Sequence, residues 1–244
     1  MAEDRVALVI GAGEATGGAI ARRFAAEGLT AVATRRPRNL EQLEALAESI
    51  RAGGGRARAF GVDARDEDEM TAFIARVEAE IGPIEVAVYN VGGNVRFPIL
   101  ETTSRVYSKV WEMCCFGGFL MGREAARHML PRGRGSILFT GATASVRGGA
   151  GYAAFSGGKA ALRALAQSMA RELGPKGIHV AHVVIDGAID TKWIAENFPE
   201  RHKLKDRDGI LRPDDIAEAY WNLHRQPRSA WTHELDLRPW IEPF

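Results

Sequence analysis

Three groups of residues have types and spacings suited to chemistry. The first is Gly11-Ala12-Gly13-Glu14-Ala15-Thr16-Gly17-Gly18-Ala19-Ile20-Ala21, directly after an apolar run at 6–10. Small residues there let the backbone turn tightly and approach a pyrophosphate at the N-terminus of the following helix. The second is Arg35-Arg36, at the end of the next apolar run. Guanidinium forks match phosphate geometry, although two solvated charges at a strand end read equally simply. The third is Lys159, within Gly151-Tyr152-Ala153-Ala154-Phe155-Ser156-Gly157-Gly158-Lys159-Ala160-Ala161-Leu162. On a helix, Phe155 and Lys159 stack on one face, one turn apart. Tyr152 precedes Lys159 by seven residues, two turns and about 10 Å of axial rise.

The elements that must position these groups alternate regularly. Short β-branched runs at 6–10, 30–34, 56–62, 86–90, 136–140, 178–184 and 234–237 read as strands. Helix-period stretches lie between them near 17–28, 39–52, 67–81, 103–129, 152–174 and 213–225. A run such as Val-Ala-Leu-Val-Ile is apolar on both faces, as a parallel strand covered on both sides requires. The expected fold is α/β: one Rossmann-type, doubly wound parallel sheet of about seven strands with helices on both faces. A single domain spans 1–244, with no linker or internal repeat. The polar, irregular stretch 187–212 breaks the rhythm and is expected to form a lid over the carboxyl edge of the sheet, against the simpler reading of a solvated loop.

Composition narrows the function classes. The chain has 244 residues and a net charge of +1, so no global field draws in nucleic acid or an anionic membrane. Cys114 and Cys115 are adjacent and form neither a disulfide framework nor a zinc-ligand spacing, so no metal is expected. The N-terminal residues Met1 to Arg5 are not those of a signal peptide, and a reducing, cytoplasmic setting is expected. His179 and His182 flank a strand and read as satisfied polar residues rather than ligands. The aromatic tail, with Trp231, Trp240 and Phe244, reads as cover for an interface or for the substrate pocket.

From about residue 4 to 225 the chain resembles the short-chain dehydrogenase/reductase family. The glycine turn resembles that family's Thr-Gly-x-x-x-Gly-x-Gly, with Ile10 in place of the Thr and Ala15 in place of the middle Gly. Asn90-Val91-Gly92-Gly93 resembles its Asn-Ala-Gly turn, and Phe155 to Lys159 its Tyr-x-x-x-Lys helix. The resemblance implies a nicotinamide cofactor held by Gly11, Ala15, Thr16, Gly17, Asn90, Gly92 and Lys159. It also implies that Asp63 accepts from the adenine amino group, with a turn-capping role as the competing reading. Ile189 and Thr191 match the Pro-Gly-x-x-x-Thr stretch and would meet the carboxamide and the phosphate; Asp186 stands where the Pro would be. Because no acid is available where Arg35 and Arg36 lie, the expected cofactor is NADP(H) in preference to NAD(H).

The same resemblance implies a catalytic Asn, Ser, Tyr and Lys. Only Lys159 matches. The other three positions read Cys114, Ala142 and Phe155. Without the phenol and the hydroxyl, general acid–base help worth roughly 10²–10⁴ in rate is missing. Tyr152, Thr143 and Ser145 are the nearby hydroxyls that can substitute. Two functions stay open: an oxidoreductase acting on a small-molecule carbonyl or alcohol with weak or altered catalysis, or a catalytically inactive nucleotide-binding sensor or scaffold. Apolar residues on more than one face of 103–129 and 152–174 (Val106, Trp111, Phe116, Phe119 and Met121; Leu162, Leu165 and Met169) predict a homodimer or homotetramer.

Overall fold

The computed structural model describes residues 5–243. The expectations for Met1 to Asp4 and for Phe244 lie outside the described residues. Seven parallel strands form one sheet in the order β3-β2-β1-β4-β5-β6-β7. They are β1 (Val6–Ile10), β2 (Thr30–Arg35), β3 (Arg56–Gly61), β4 (Ile84–Tyr89), β5 (Gly135–Thr140), β6 (Ile178–Ile185) and β7 (Glu234–Leu237). Strand order reverses between β1 and β4, the crevice where doubly wound sheets bind ligands beyond their carboxyl ends.

Each central strand serves two cores. Val6, Leu8 and Ile10 of β1 point to one face, and Ala7 and Val9 to the other. That is the period-2 alternation of a pleated strand, and both faces are apolar because both are covered. Helices α1 (Thr16–Ala26), α2 (Leu40–Ala52) and α9 (Pro213–His224) cover the first core; α3 (Glu67–Glu80), α5 (Gly117–Met129) and α6 (Ala153–Leu173) cover the second. A fully buried Val, Leu, Ile or Phe contributes roughly 1.5–3 kcal/mol, so a one-residue slip of β1 would misplace several such side chains at once. Phe24 of α1 meets Trp221 of α9 edge-on, with ring centroids 5.4 Å apart.

The stretch expected as one helix over 103–129 is continuous but not uniform. It runs as α4 (Ser104–Trp111), a π-helical segment Glu112–Phe116, and α5. The Tyr89 hydroxyl donates to the Met113 carbonyl at 2.5 Å, inside the wide turn. A π-turn leaves carbonyls free for such partners. The expected irregular insert 187–212 also carries more structure: short helices α7 (Lys192–Asn197) and α8 (Pro199–His202), then a 3₁₀ turn Lys203–Arg207. Thr191 caps α7 by accepting from the Ile194 N–H at 3.1 Å, and Pro199 opens α8.

Polar side chains tie the layers to the sheet. The Arg163 fork grips Glu234 with two 2.6 Å bonds, tying α6 to β7. His182, fully buried on β6, sets Nδ1 3.1 Å from Glu234. His224 sets Nδ1 2.9 Å from the Ser136 hydroxyl. Burial pushes both imidazoles down to about 4 from 6.5; for His182 the neighbouring Glu234 carboxylate opposes the shift. Both are therefore neutral in the fold and gain a proton when the chain unfolds between about pH 4 and 6.5. Over that window the unfolded state binds more protons, so stability falls as pH falls. Thermal unfolding should show a midpoint several degrees lower at pH 5 than at pH 7.5, and His182→Gln should shrink the difference. A midpoint flat over that range would contradict the account.

Candidate active site

The turn after β1 is closed by glycines that cannot be replaced cheaply. Gly11 has φ +92°, and a Cβ there would lie 2.7 Å from the Asn90 carbonyl oxygen. A Cβ on Gly17 would press into the backbone of Gly11 and Ala12. Asn90, just past β4, donates from Nδ2 to the Gly11 carbonyl at 3.0 Å, locking the turn to the next strand. Ala15, where the family has its middle Gly, has φ −88°, so its methyl meets no left-handed backbone requirement. No side chain caps α1, and Thr16, its first residue, is buried. The first-turn amides of α1 thus have no side-chain oxygen in front of them, as a phosphate site requires.

Arg35 ends β2 beside this turn. Its guanidinium carbon lies 4.0 Å from the position of a Cβ on Gly13, and Nη1 donates to Gln42 at 2.8 Å. A cation therefore overlooks the phosphate turn, held by the first part of α2. Asp63, after β3, is engaged on both carboxylate oxygens by Arg65, at 2.9 and 2.5 Å. That guanidinium holds its carboxyl below the usual range, with Arg36 adding to the effect. Its backbone N–H donates to the Glu69 carboxylate at 3.1 Å. An adenine contact at Asp63 would thus have to share a carboxylate already in use.

Lys159 lies deep in the site. It is 3% exposed, and its ammonium donates to the Thr140 carbonyl at 2.7 Å and to the Val91 carbonyl at 3.1 Å. Thr140 ends β5 and Val91 follows β4, so one cation ties the exits of two neighbouring strands. Burial lowers its pKa, opposed by the nearby Cys114 sulfur. A Cβ on Gly92 would lie 3.8 Å from both Lys159 Cε and Phe155 Cε2, which places Phe155 and Lys159 side by side along the Asn90–Gly93 turn.

The three positions that lack the family's polar groups come together. Cys114 and Phe155 are buried in one small apolar cluster with Val110, Ala144 and Ala154, and Ala142 and Tyr152 pack on its edge. Cys114 sits in the π-turn, against α6 at Gly158; a Cβ there would lie only 2.8 Å from Cys114 Cβ. The thiol is raised by burial, which makes it a small core group rather than a nucleophile. Where hydroxyls would face a substrate oxygen, the chain presents thiol, methyl and phenyl.

Tyr152, the nearby tyrosine, stands at the very start of α6 and its carbonyl accepts from the Ser156 N–H at 2.8 Å. It is the residue before α6, with φ −108°, and its ring carries the Arg96 guanidinium 5.9 Å from its centroid. Ser145 is buried and accepts from the Ala142 N–H at 3.1 Å, closing the turn. Thr143, in contrast, donates to Asp186 Oδ1 at 2.5 Å. The Asp186 carboxylate is 3% exposed and has two further partners, Arg147 at 3.5 Å and Arg238 at 3.4 Å. In the sequence Asp186 is visible only as a replaced proline. Its partners come from the turn after β5 and from the tail after β7, and no local pattern announces them.

Ile189 pairs with Leu211 in an isolated bridge, so the two ends of the insert are joined. Asp190 latches it further, to His202 at 3.0 Å and Lys205 at 2.6 Å. Thr191 spends its hydroxyl on the α7 cap. Trp193 and Phe198 of this insert are exposed and face each other, with centroids 5.4 Å apart. Trp231 stacks on His179 at 4.9 Å, while Trp240 is exposed. Among the described residues no cluster of His, Cys, Asp or Glu has a metal-holding arrangement, and no helix is long and apolar enough to cross a membrane.

With this geometry in view, the comparisons are specific. The model of the short chain dehydrogenase family matches residues 5–202, and the chain belongs to that family. It is 31% identical to the short-chain reductase protein NovJ of Streptomyces niveus, over 98% of this chain and 89% of that protein. It is 30% identical to the 2,3-dihydro-2,3-dihydroxybenzoate dehydrogenase of Bacillus subtilis (strain 168), over 89% and 87%. Among solved structures, a short-chain dehydrogenase from Rhodopseudomonas palustris superposes with TM-score 0.83 at 51% identity, covering 97% of this chain and 99% of that one. A metagenomic short-chain oxidoreductase in complex with NADP superposes with TM-score 0.82 at 28% identity, covering 98% of each. A 7α-hydroxysteroid dehydrogenase complexed with NADH also superposes, with TM-score 0.86 at 26% identity, covering 96% and 93%. Both nucleotides thus occur among the neighbours.

Proposed function

We propose that this chain binds NADP(H) across the β1–β4 crevice and acts as a weak, altered oxidoreductase on a small-molecule alcohol or carbonyl. The observation that carries the reading is the contrast within one site. The glycine turn and the buried Lys159 are intact, while Cys114, Ala142 and Phe155 close into an apolar cluster. The residues fit a dinucleotide. Gly11 and Gly17 permit the tight turn, Thr16 and the α1 amides would meet the pyrophosphate, and Arg35 would meet a 2′-phosphate. Asn90 and Gly92 would lie under a ribose, with Lys159 beside it. Asp63 would face the adenine, and Ile189 and Thr191 the nicotinamide end. A bound nicotinamide supplies or accepts a hydride. The chain's own share is to hold the reacting carbon and to move a proton at the substrate oxygen, and for that share no phenol is present.

The rival reading is a nucleotide-binding sensor or scaffold without catalysis. Phe155 favours it, because a phenyl ring at the proton-transfer position gives up the acid outright. The two readings share the cofactor and differ in turnover.

Self-association is part of the proposal. Of the residues expected to form an outer apolar face, Met121 and Leu162 turn inward to the core. Trp111, Phe116 and Phe119 remain as an aromatic ribbon, stacked at 6.1 and 6.2 Å, and Trp111 and Phe119 are exposed. A two-fold pairing of these helices would cover them. Light scattering at micromolar concentration should therefore report a dimer or tetramer; a monomer would refute the pairing.

Calorimetric titration with NADP⁺ and NAD⁺, beside turnover of an alcohol and carbonyl panel, tests the main reading. NADP⁺ should bind more tightly, and Arg35→Asp should narrow or invert the gap. Equal or reversed affinities in the unmodified protein would defeat the preference. Turnover should be slow and little changed by Tyr152→Phe. Brisk turnover abolished by that variant would assign the proton to Tyr152 and defeat the claim of altered catalysis.

A further inference from the structure

We propose that Asp186, acting through the Thr143 hydroxyl, is the proton acceptor of this site. This rests on the reading above, because it needs a substrate oxygen near the carboxyl edge of the sheet. Thr143 directly follows Ala142, so its hydroxyl leaves the same turn from which a catalytic Ser would project. Asp186 directly follows β6. The two strand exits are joined by the Gly141 N–H, which donates to the Val183 carbonyl at 2.7 Å. The Thr143 hydroxyl then bridges them, donating to Asp186 Oδ1 at 2.5 Å, the short distance of a charge-assisted bond.

A carboxylate at this place needs an explanation. Asp186 is 2% exposed, and burying an unpaired carboxylate costs several kcal/mol. Arg147 approaches Oδ1 and Arg238 approaches Oδ2, so the charge is balanced from two sides. Arg238 is itself paired with Asp236. Among the described residues Thr143, Arg147 and Arg238 contact Asp186, from the start and end of the turn after β5 and from the tail, and the Glu242 carboxylate lies near the adjoining Gly187. Thr143 is half-buried and is not a member of the apolar cluster of Cys114 and Phe155. It keeps two lone pairs while donating to Asp186, and one can accept from an alcohol.

The step balances with an oxidised nicotinamide nucleotide as hydride acceptor. The carbinol C–H bond breaks and its hydride leaves to the nucleotide, while the alcohol O–H bond breaks and its proton passes to Thr143 Oγ1. The Thr143 O–H bond breaks in turn, its proton forms an O–H bond on Asp186 Oδ1, and the substrate becomes a carbonyl. Reduction is the reverse, with protonated Asp186 as donor. A carboxylate is a weaker base than a phenolate, so this relay is slow, in keeping with the site's lost hydroxyls.

The competing account makes Asp186 a purely structural hub that pins the tail to the sheet. Three variants of the full chain separate the two: Asp186→Asn, which keeps size and an acceptor, Thr143→Val and Thr143→Ser. Four quantities are measured: NADP⁺ affinity by calorimetry, the thermal midpoint, affinity of the NADP⁺-loaded protein for trifluoroethanol, and kcat for oxidation of secondary alcohols including cyclohexanol and 2-butanol. Trifluoroethanol resists hydride loss and reads the alcohol's hydrogen bond without turnover. The relay predicts at least tenfold lower kcat for Asp186→Asn and Thr143→Val, near-normal kcat for Thr143→Ser, and NADP⁺ affinity within twofold throughout. It predicts at least threefold weaker trifluoroethanol binding by Thr143→Val, one lost hydrogen bond. Loss of turnover only in step with lost cofactor affinity or a collapsed midpoint overturns the relay in favour of the structural hub. Undiminished turnover by Thr143→Val also overturns it. NADP⁺ binding with no alcohol turned over by the unmodified protein overturns the relay alone, whereas no NADP⁺ binding removes the underlying reading as well.

Discussion

The buried ammonium of Lys159 is the constraint on which the rest of the site depends. A cation that is 3% exposed must be solvated by the protein, and here the carbonyls of Thr140 and Val91 do it. Those carbonyls sit at the exits of β5 and β4, beside the point where strand order reverses. The ammonium therefore sets the spacing of the two chain segments that form the floor of the crevice. Asn90 extends the same tie to the turn after β1 through the Gly11 carbonyl. The phosphate turn, the central strands and α6 are fixed to one another by a few polar contacts at the carboxyl edge.

That framework is independent of the hydroxyls that usually accompany it. Gly158 lets α6 approach the π-turn at Cys114, since a Cβ there would lie only 2.8 Å from Cys114 Cβ. Cys114, Ala142 and Phe155 then fill the space with apolar atoms, and a packed cluster of this kind contributes stability where a polar set would need hydrogen-bonding partners. The glycine turn and Lys159 match the family's pattern, while Cys114, Ala142 and Phe155 depart from it. In the proposed relay the polar chemistry moves to the next turn residue, Thr143, and to Asp186.

Much of this was legible in the sequence, for identifiable reasons. β1 and β7 run over the expected residues, β1 because a short apolar run bounded by turn residues leaves little freedom and β7 because Glu234 to Leu237 alternate polar and apolar. The Gly11–Gly17 turn is visible as a run of small residues directly after a strand, whereas the partners of Lys159, the carbonyls of Thr140 and Val91, are set by the assembled sheet. The π-turn was not legible: it depends on Tyr89, remote in sequence, reaching the Met113 carbonyl. The short helices of the insert were missed although Thr191 and Pro199 are start signals, because polar composition outweighed them. Tyr152 looked like a helix-face residue by spacing, but the helix starts one residue later. The Asp186 hub joins residues from three strand exits, and only the assembled sheet edge brings them together.

The central claim is that proton transfer is limited by the apolar cluster and not by loss of the cofactor site. Restoring both hydroxyls in Ala142→Ser with Phe155→Tyr, and measuring NADPH-dependent reduction of simple ketones beside NADPH affinity, tests it most directly. The account predicts at least tenfold faster turnover with affinity within twofold, because Lys159 already stands one helical turn from the new phenol. Unchanged or slower turnover by a folded double variant that still binds NADPH would contradict it.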